Sequence, residues 1–172
     1  RYYIKSKLFK IKEDFWVKND KGQDSYFIDK EFFSFGLQFR VIENNNEIYR
    51  VREKLLKFMP SYEIYDNNDN IIGTVKKQFT FFKDSIFVES NYGDFEIEGD
   101  FWHYSYTINH NGQTIAVIDK EILTFTDNYY VDINYENHPF IIALVIIIDN
   151  INVESSAKGI AIQTPFNPQI QE

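Results

Sequence analysis

Residues 138–149 have the sequence His-Pro-Phe-Ile-Ile-Ala-Leu-Val-Ile-Ile-Ile-Asp, and this stretch decides the fold. The nine residues 140–148 are all apolar, with no polar position at the period of a strand or at the period of a helix. A segment that is apolar on every side has to be enclosed on every side. We therefore expect the rest of the chain to form an enclosure around it.

Physical arguments alone leave the conformation of this stretch open. Ile and Val dominate residues 141–148, and β-branched side chains favour strands. Against this, Pro139 suits the first position of a helix, and the two residues before it are available as caps. Asp149-Asn150 would then supply a polar stop after about three turns. A wall strand and an internal helix both remain open.

The composition indicates one domain with a substantial core. The chain has 172 residues, of which 44% are hydrophobic and 18% aromatic, and an aromatic bias is typical of sheets. No cysteine is present, which excludes disulfides, zinc–thiolate sites and thiol nucleophiles. The longest apolar run is far shorter than the ~20 residues of a membrane-spanning helix. We expect a cytoplasmic protein.

The charge argues against nucleic acid as a partner. The net charge is −8, whereas nucleic-acid-binding domains are normally basic. The charge is also uneven, because residues 1–18 carry six basic and two acidic side chains, a local charge of +4. Such a basic segment could meet an anionic surface, although a solvated strand edge is the simpler explanation.

Three segments repeat the pattern of a β-hairpin, with an aromatic-led strand, a turn rich in Asn or Asp, and a β-branched strand. They cover residues 39–51, 62–75 and 104–118. Strict alternation at 95–101 and 129–135 places apolar side chains on one face and polar side chains on the other, which is typical of an antiparallel sheet. About a dozen such segments with few helical stretches predict a barrel or a sandwich.

Five segments spread over residues 1–154 carry a resemblance to a known family. They are Tyr3-Ile4-Lys5-x-Lys7-Leu8-Phe9 at the start, Ile28-Asp29-Lys30 before Phe32-Phe33-Ser34, Lys57-Phe58-Met59-Pro60-x-Tyr62-x-Ile64, the corner Gly99-Asp100-Phe101, and the apolar run that ends in Asp149. Together they resemble the LURP-one-related family, which belongs to the tubby C-terminal-like superfamily together with the phospholipid scramblases. These motifs describe packing and turns rather than chemistry.

The resemblance implies an α+β, mainly β fold, a twelve-stranded antiparallel barrel closed around one hydrophobic helix. Residues 138–150 would form that helix and fill the lumen. We expect residues 1–154 to form a single tubby-like barrel domain that includes the helix. Residues 155–172, which contain two prolines and show no periodicity from Gln163 onward, would form a peripheral segment.

No pattern of catalytic or metal-binding residues emerges from the sequence, so we expect no enzyme activity and no cofactor. The three histidines, His103, His110 and His138, are far apart in sequence and form no H-E-x-x-H motif. Residues 66–70 begin like a calcium loop, but the positions that require Gly and Glu hold Ile71 and Lys77. A hairpin turn explains residues 66–70 instead.

One acidic strand face is a candidate for a catalytic site or a divalent-cation site. Glu96, Glu98 and Asp100 alternate along one predicted strand, so their side chains share a face with ~7 Å between neighbours. Carboxylates in this arrangement more often form a solvated face. An enzyme that uses these residues is therefore the weakest of three functional hypotheses.

The leading hypothesis is a non-enzymatic binding or scaffold domain that contacts phospholipid headgroups or a protein partner on the barrel surface. Tubby proteins bind phosphoinositides through basic surface residues, which is what the resemblance implies for a lipid partner. The candidate binding residues are Lys5, Lys7, Lys10, Arg50, Arg52, Lys54, Lys76 and Lys77. The alternative is a lipocalin-like carrier with an open lumen, which requires residues 140–148 to be a wall strand.

Overall fold

The structure is a computed structural model that describes residues 1–5, 14–33, 36–54, 61–79, 84–101, 103–120 and 128–162. This part of the chain forms twelve strands followed by one helix. The elements are β1 (Tyr2–Lys5), β2 (Phe15–Asn19), β3 (Asp24–Phe33), β4 (Gly36–Glu43), β5 (Asn46–Lys54), β6 (Ser61–Tyr65), β7 (Ile71–Phe79), β8 (Asp84–Ser90), β9 (Phe95–Asp100), β10 (Ser105–His110), β11 (Gln113–Lys120), β12 (Asn128–Ile133) and α1 (His138–Ile162).

The twelve strands form one closed antiparallel barrel, which confirms the predicted architecture. Strands that follow each other in the chain are neighbours in the sheet, and β1 pairs with β12 to close the cylinder. In the closing register Tyr2 lies opposite Val131 and Ile4 lies opposite Tyr129. Because β1 also pairs with β2, it is not an edge strand, and the explanation of the basic N-terminal segment as a strand edge is wrong for β1.

Asn-rich turns connect the predicted hairpins. Asn44 and Asn45 between β4 and β5 have φ angles of 50° and 63°, and Asn111 and Gly112 between β10 and β11 have φ angles of 50° and 73°. Two successive positive φ angles define the turn whose twist matches a right-handed hairpin. Residues 66–70 also form the predicted hairpin turn, in which the Asp66 carboxylate accepts hydrogen bonds from two backbone amides.

Residues 138–149 are helical, which settles the choice that the sequence left open. The Asn137 side chain accepts a hydrogen bond of 3.2 Å from the Phe140 amide and so caps the helix, as its position predicted. The side chains of residues 140–148 are all 0% exposed. Every side of this segment therefore contacts protein, and α1 fills the lumen.

The predicted end of the helix at Asn150 is wrong, because α1 continues to Ile162. The polar pair Asp149-Asn150 finds hydrogen-bond partners on the barrel wall at this point. Asp149 is fully buried and bonded to the Tyr129 hydroxyl, and the Asn150 amide donates to the Tyr62 hydroxyl over 2.9 Å. Because the barrel wall supplies these partners, the helix continues beyond Asn150.

The predicted division at residue 154 falls within α1, so the backbone of residues 155–162 continues the helix. Residues 163–172, the rest of the predicted peripheral segment, lie outside the described residues. Within the described ranges, no helix combines the length and the apolar character needed to cross a bilayer.

Candidate functional site

The lumen of the barrel is filled by α1. The carrier hypothesis required residues 140–148 to be a wall strand, and they form a buried helix instead. Inward-facing side chains of the strands pack against that helix, as shown by the full burial of Phe39, Tyr62 and Phe95. The side chains that remain accessible point outward or lie at the two rims.

Arg50 is the most extensively paired of the predicted basic candidates. It lies on the outer face of β5 and contacts the Glu47 and Asp69 carboxylates, each at 2.7 Å. The Glu47 carboxylate also lies 3.8 Å from the Arg40 guanidinium, and Arg40 in turn forms an ion pair with Asp29. This ion-pair network across β3, β4 and β5 was not visible in the sequence, because hairpin register decides which charges meet.

Arg52 and Lys54 lie on the same outer face of β5 and also contact neighbouring side chains. The Arg52 guanidinium lies 4.9 Å from the centre of the Tyr65 ring and donates to Gln38 over 3.2 Å. Lys54 forms a 2.7 Å ion pair with Glu63. The hydrogen bond to the Glu63 carboxylate raises the pKa of Lys54.

Lys76, on β7, lies in the same sheet row as Lys54 and forms a 2.9 Å ion pair with Glu89. The structure therefore brings these basic candidates to one outer face, and it intersperses them with carboxylates. Lys5 and Lys77 lie on strands, but their side chains are outside the described residues. Lys7 and Lys10 lie entirely outside the described residues.

A second outer surface consists of aromatic side chains on four neighbouring strands. Trp16 on β2 is 46% exposed and packs against Phe27 on β3, with 5.0 Å between the ring centres. On β1 and β12, Tyr3 lies opposite Tyr130 in the register. We call Tyr3, Trp16, Phe27 and Tyr130 the aromatic face.

Two ion pairs accompany the aromatic face. The Arg1 guanidinium lies 4.2 Å from the centre of the Tyr130 ring and bonds both oxygens of Asp132, at 2.8 and 2.7 Å. Lys18, which lies opposite Tyr3 in the register, forms a 2.7 Å ion pair with Asp24. The sequence could not predict this surface, because the closure of β1 onto β12 brings together residues from both ends of the barrel.

The acidic face at Glu96, Glu98 and Asp100 lies on the outside of β9. Glu96 and Asp100 are exposed and Glu98 is half-buried, as expected of a solvated face. Asp100 bonds the side chain of His103 over 2.6 Å within a local turn. The Asp100 carboxylate also accepts a hydrogen bond of 3.1 Å from the His103 amide, so this contact orders the turn.

The other two histidines also have structural contacts. His110 stacks on Phe95 with 4.5 Å between ring centres, and its Nδ1 lies 2.8 Å from the Asp94 carbonyl oxygen. His138 lies 2.8 Å from the Tyr2 hydroxyl, and burial lowers its pKa. Among the described residues, no group of three His, Asp or Glu side chains is placed to hold a metal ion.

Comparison with known proteins places this barrel in a family. The family model described as LURP-one-related matches residues 1–149, which is most of the chain. The chain belongs to the LURP-one-related family. This confirms the resemblance seen in the five sequence segments, and the match ends at Asp149, where the fully buried part of the helix ends.

A bacterial relative supports the same assignment. The LURP-one-related barrel is 26% identical over 149 residues to the "Uncharacterized protein YxjI" of Bacillus subtilis (strain 168), covering 86% of this chain and 90% of the relative. No solved structure gave a significant match to the chain. Neither the family description nor the name of the relative states a ligand or a reaction.

Proposed function

We propose that this LURP-one-related barrel is a non-enzymatic binding domain that recognises a protein partner through the aromatic face. The exposure of Trp16 on a surface that also carries Phe27, Tyr3 and Tyr130 is the observation that carries the proposal. Tryptophan, tyrosine and arginine are the residue types that dominate binding energy at protein interfaces. Trp16 is half-exposed and packs against its cross-strand neighbour Phe27, which restrains the ring as such an anchor needs.

The surroundings of the aromatic face also suit a protein partner. Arg1 and Lys18 are both paired with carboxylates, so the charges beside the aromatic side chains are balanced. Protein interfaces typically combine aromatic side chains and arginine with hydrated polar contacts. Residues 140–148 are fully buried inside the barrel, which favours a partner that binds on the outside.

Phospholipid headgroups are the second candidate partner, and the local charge of +4 on residues 1–18 favours them. Clusters of lysine near a membrane attract anionic lipids, and tryptophan prefers the membrane interface. The candidates on β5 and β7 add little to this attraction, because Arg50, Lys54 and Lys76 are paired with carboxylates.

Affinity capture with matched surface variants tests the proposal. Trp16→Ala removes the proposed anchor, and Val117→Ala is the control because Val117 is 39% exposed on the outer side of β11. We expect cross-linked partners of the native domain to persist with Val117→Ala and to be lost with Trp16→Ala. Truncation of an interface anchor typically costs about 2 kcal/mol or more, which is at least tenfold in affinity.

Two outcomes would contradict the protein-binding proposal. One is capture of the same partners by Trp16→Ala and the native domain. The other is co-sedimentation of the native domain with phosphatidylserine vesicles but not with phosphatidylcholine vesicles at low salt, which would favour lipid headgroups instead.

A further inference from the structure

One turn of α1 carries a group of polar side chains that contact the barrel wall on several sides. The Asn150 amide donates to the Tyr62 hydroxyl on β6 over 2.9 Å, and the Asn152 amide donates to the Phe101 carbonyl over 2.7 Å. Asp149, on the same turn, accepts a hydrogen bond from the Tyr129 hydroxyl on β12. Residues 140–148 are all apolar, so between residues 140 and 152 the polar side-chain contacts lie on this turn.

Asp149 is unusual within this group because it is an ionisable side chain with no exposed surface. The Tyr129 hydroxyl bonds one of its two oxygens, and the other oxygen has no hydrogen-bond partner among the described residues. The hydroxyl of Tyr106, which is also buried, has no partner within that part of the chain either. A carboxylate normally accepts several hydrogen bonds, so an ionised Asp149 is poorly compensated at this position.

The charged and titratable groups that interact with Asp149 come from three strands. They are Lys30 on β3, Tyr106 on β10 and Tyr129 on β12, and Tyr104, just before β10, interacts in turn with Tyr106 and Tyr129. Burial raises the pKa of Asp149 to about 8, although the Tyr129 hydrogen bond and the charge of Lys30 act in the opposite direction. Burial lowers the pKa of Lys30 to about 8, against the charges of Asp149 and Asp14.

We propose that Asp149 is a proton-controlled latch of the lumen helix. The protonated, neutral carboxyl keeps this turn of α1 docked against the barrel wall, and loss of the proton weakens the docking. The geometry supports this role, because a single hydroxyl bond and one unpartnered oxygen suit a neutral carboxyl better than a buried anion.

The sign of the effect follows from the raised pKa of Asp149. Above pH 3.8, the ordinary pKa of aspartate, the unfolded chain releases the Asp149 proton, whereas the folded chain keeps it. The protonated Asp149 therefore stabilises the folded state fully below about pH 4, and this stabilisation is lost as the pH rises toward about 8. Within that window the unfolding constant rises by up to about tenfold per pH unit.

Other groups titrate outside this window or with the opposite sign. The lowered pKa of Lys30 changes the stability only between about pH 8 and pH 10.5, and in that range the folded state becomes more stable as the pH rises. The raised pKa values of Tyr106 and Tyr129 act only above their usual 10. The lowered pKa of His138 removes stability as the pH falls below its usual 6.5, and a comparison between two variants that share His138 cancels this contribution.

Denaturant unfolding at pH 5 and at pH 8 tests the latch. Asp149→Asn keeps the shape of the side chain but removes the titratable carboxyl. Asp94→Asn is the control because Asp94 is exposed. We expect the unfolding constant of the native chain to rise between pH 5 and pH 8 by at least tenfold more than that of Asp149→Asn. Asp94→Asn should follow the native chain. Equal pH dependence in the native chain and Asp149→Asn would overturn the proposal.

Hydrogen exchange in the native chain tests the proposal even if Asp149→Asn does not fold. After correction for intrinsic exchange rates, protection of the amides of residues 145–152 should fall between pH 5 and pH 8 by more than protection of the β7 and β8 amides. A uniform change along the chain, or no change in α1, would overturn the latch.

Discussion

Replacement of Leu144 by aspartate should abolish folding, because it places a second carboxyl in the lumen among buried apolar side chains. Leu144 is 0% exposed, and the residues on both sides of it along α1 are fully buried and apolar. The substitution removes the burial of a leucine side chain, which contributes about 1.5–3 kcal/mol. It also buries an uncompensated charge or forces its protonation, which costs several kcal/mol more.

The two contributions together exceed about 5 kcal/mol, comparable to the whole stability of many domains, which is about 5–15 kcal/mol. Leu144→Ala isolates the packing contribution and should cost about 2–5 kcal/mol without loss of the fold. Val117→Asp introduces the same carboxyl at a position that is 39% exposed and should cost less than either lumen substitution.

Soluble yield, circular dichroism and thermal denaturation at neutral pH measure these effects. We expect Leu144→Asp to be insoluble or to lack a cooperative transition, and Leu144→Ala to unfold cooperatively at a lower Tm. A Leu144→Asp variant with the solubility and Tm of the native chain would refute the reasoning, because it would show that this segment of α1 does not lie in the closed lumen.

Two smaller predictions concern the barrel wall. Gly99 has a φ angle of +139°, and a Cβ atom there would stand 2.5 Å from the Ser105 carbonyl oxygen, so Gly99→Ala should cost more than about 2 kcal/mol in denaturant unfolding. Gly112→Ala, at a φ angle of +73° with open space around it, should cost only about 1–2 kcal/mol, and equal costs would contradict this explanation. The hydrogen bond from Arg1 lowers the pKa of Asp132. The ionised Asp132 therefore stabilises the folded state above pH 3.8, its usual pKa, and this stabilisation is lost as the pH falls through the lower pKa of the folded state. Asp132→Asn should remove that acid dependence and cost less than about 1 kcal/mol at neutral pH because the pair is exposed, as denaturant unfolding at pH 3 and pH 7 would show.

Local sequence patterns predicted most of the wall. Alternation along β9 and β12 identified the inward side chains, because a strand places successive side chains on opposite faces. The pair Asn44-Asn45 identified a hairpin, because Asn tolerates the left-handed backbone that such a turn requires. These features depend only on neighbouring residues, so the sequence shows them directly.

Features that depend on distant residues were harder to predict. The helix was expected to end at Asn150, and it continues because Tyr62 and Tyr129 lie on the facing wall and bond the polar pair. The basic candidates were recognisable as cations, but the pairing of Arg50 with Asp69 depends on how a turn folds back beside β5. The aromatic face depends on the closure of β1 onto β12, which no short pattern encodes.

The position of α1 after all twelve strands has a consequence for the biosynthesis of the domain. A ribosome releases the whole wall before the segment that fills it, so the nascent strands have no lumen helix to pack on until residues 140–148 emerge. The first strand must also wait for the twelfth before its second neighbour exists. The barrel can therefore be completed only after α1 has been synthesised, and the closing contacts between β1 and β12 are far apart in sequence, which slows folding.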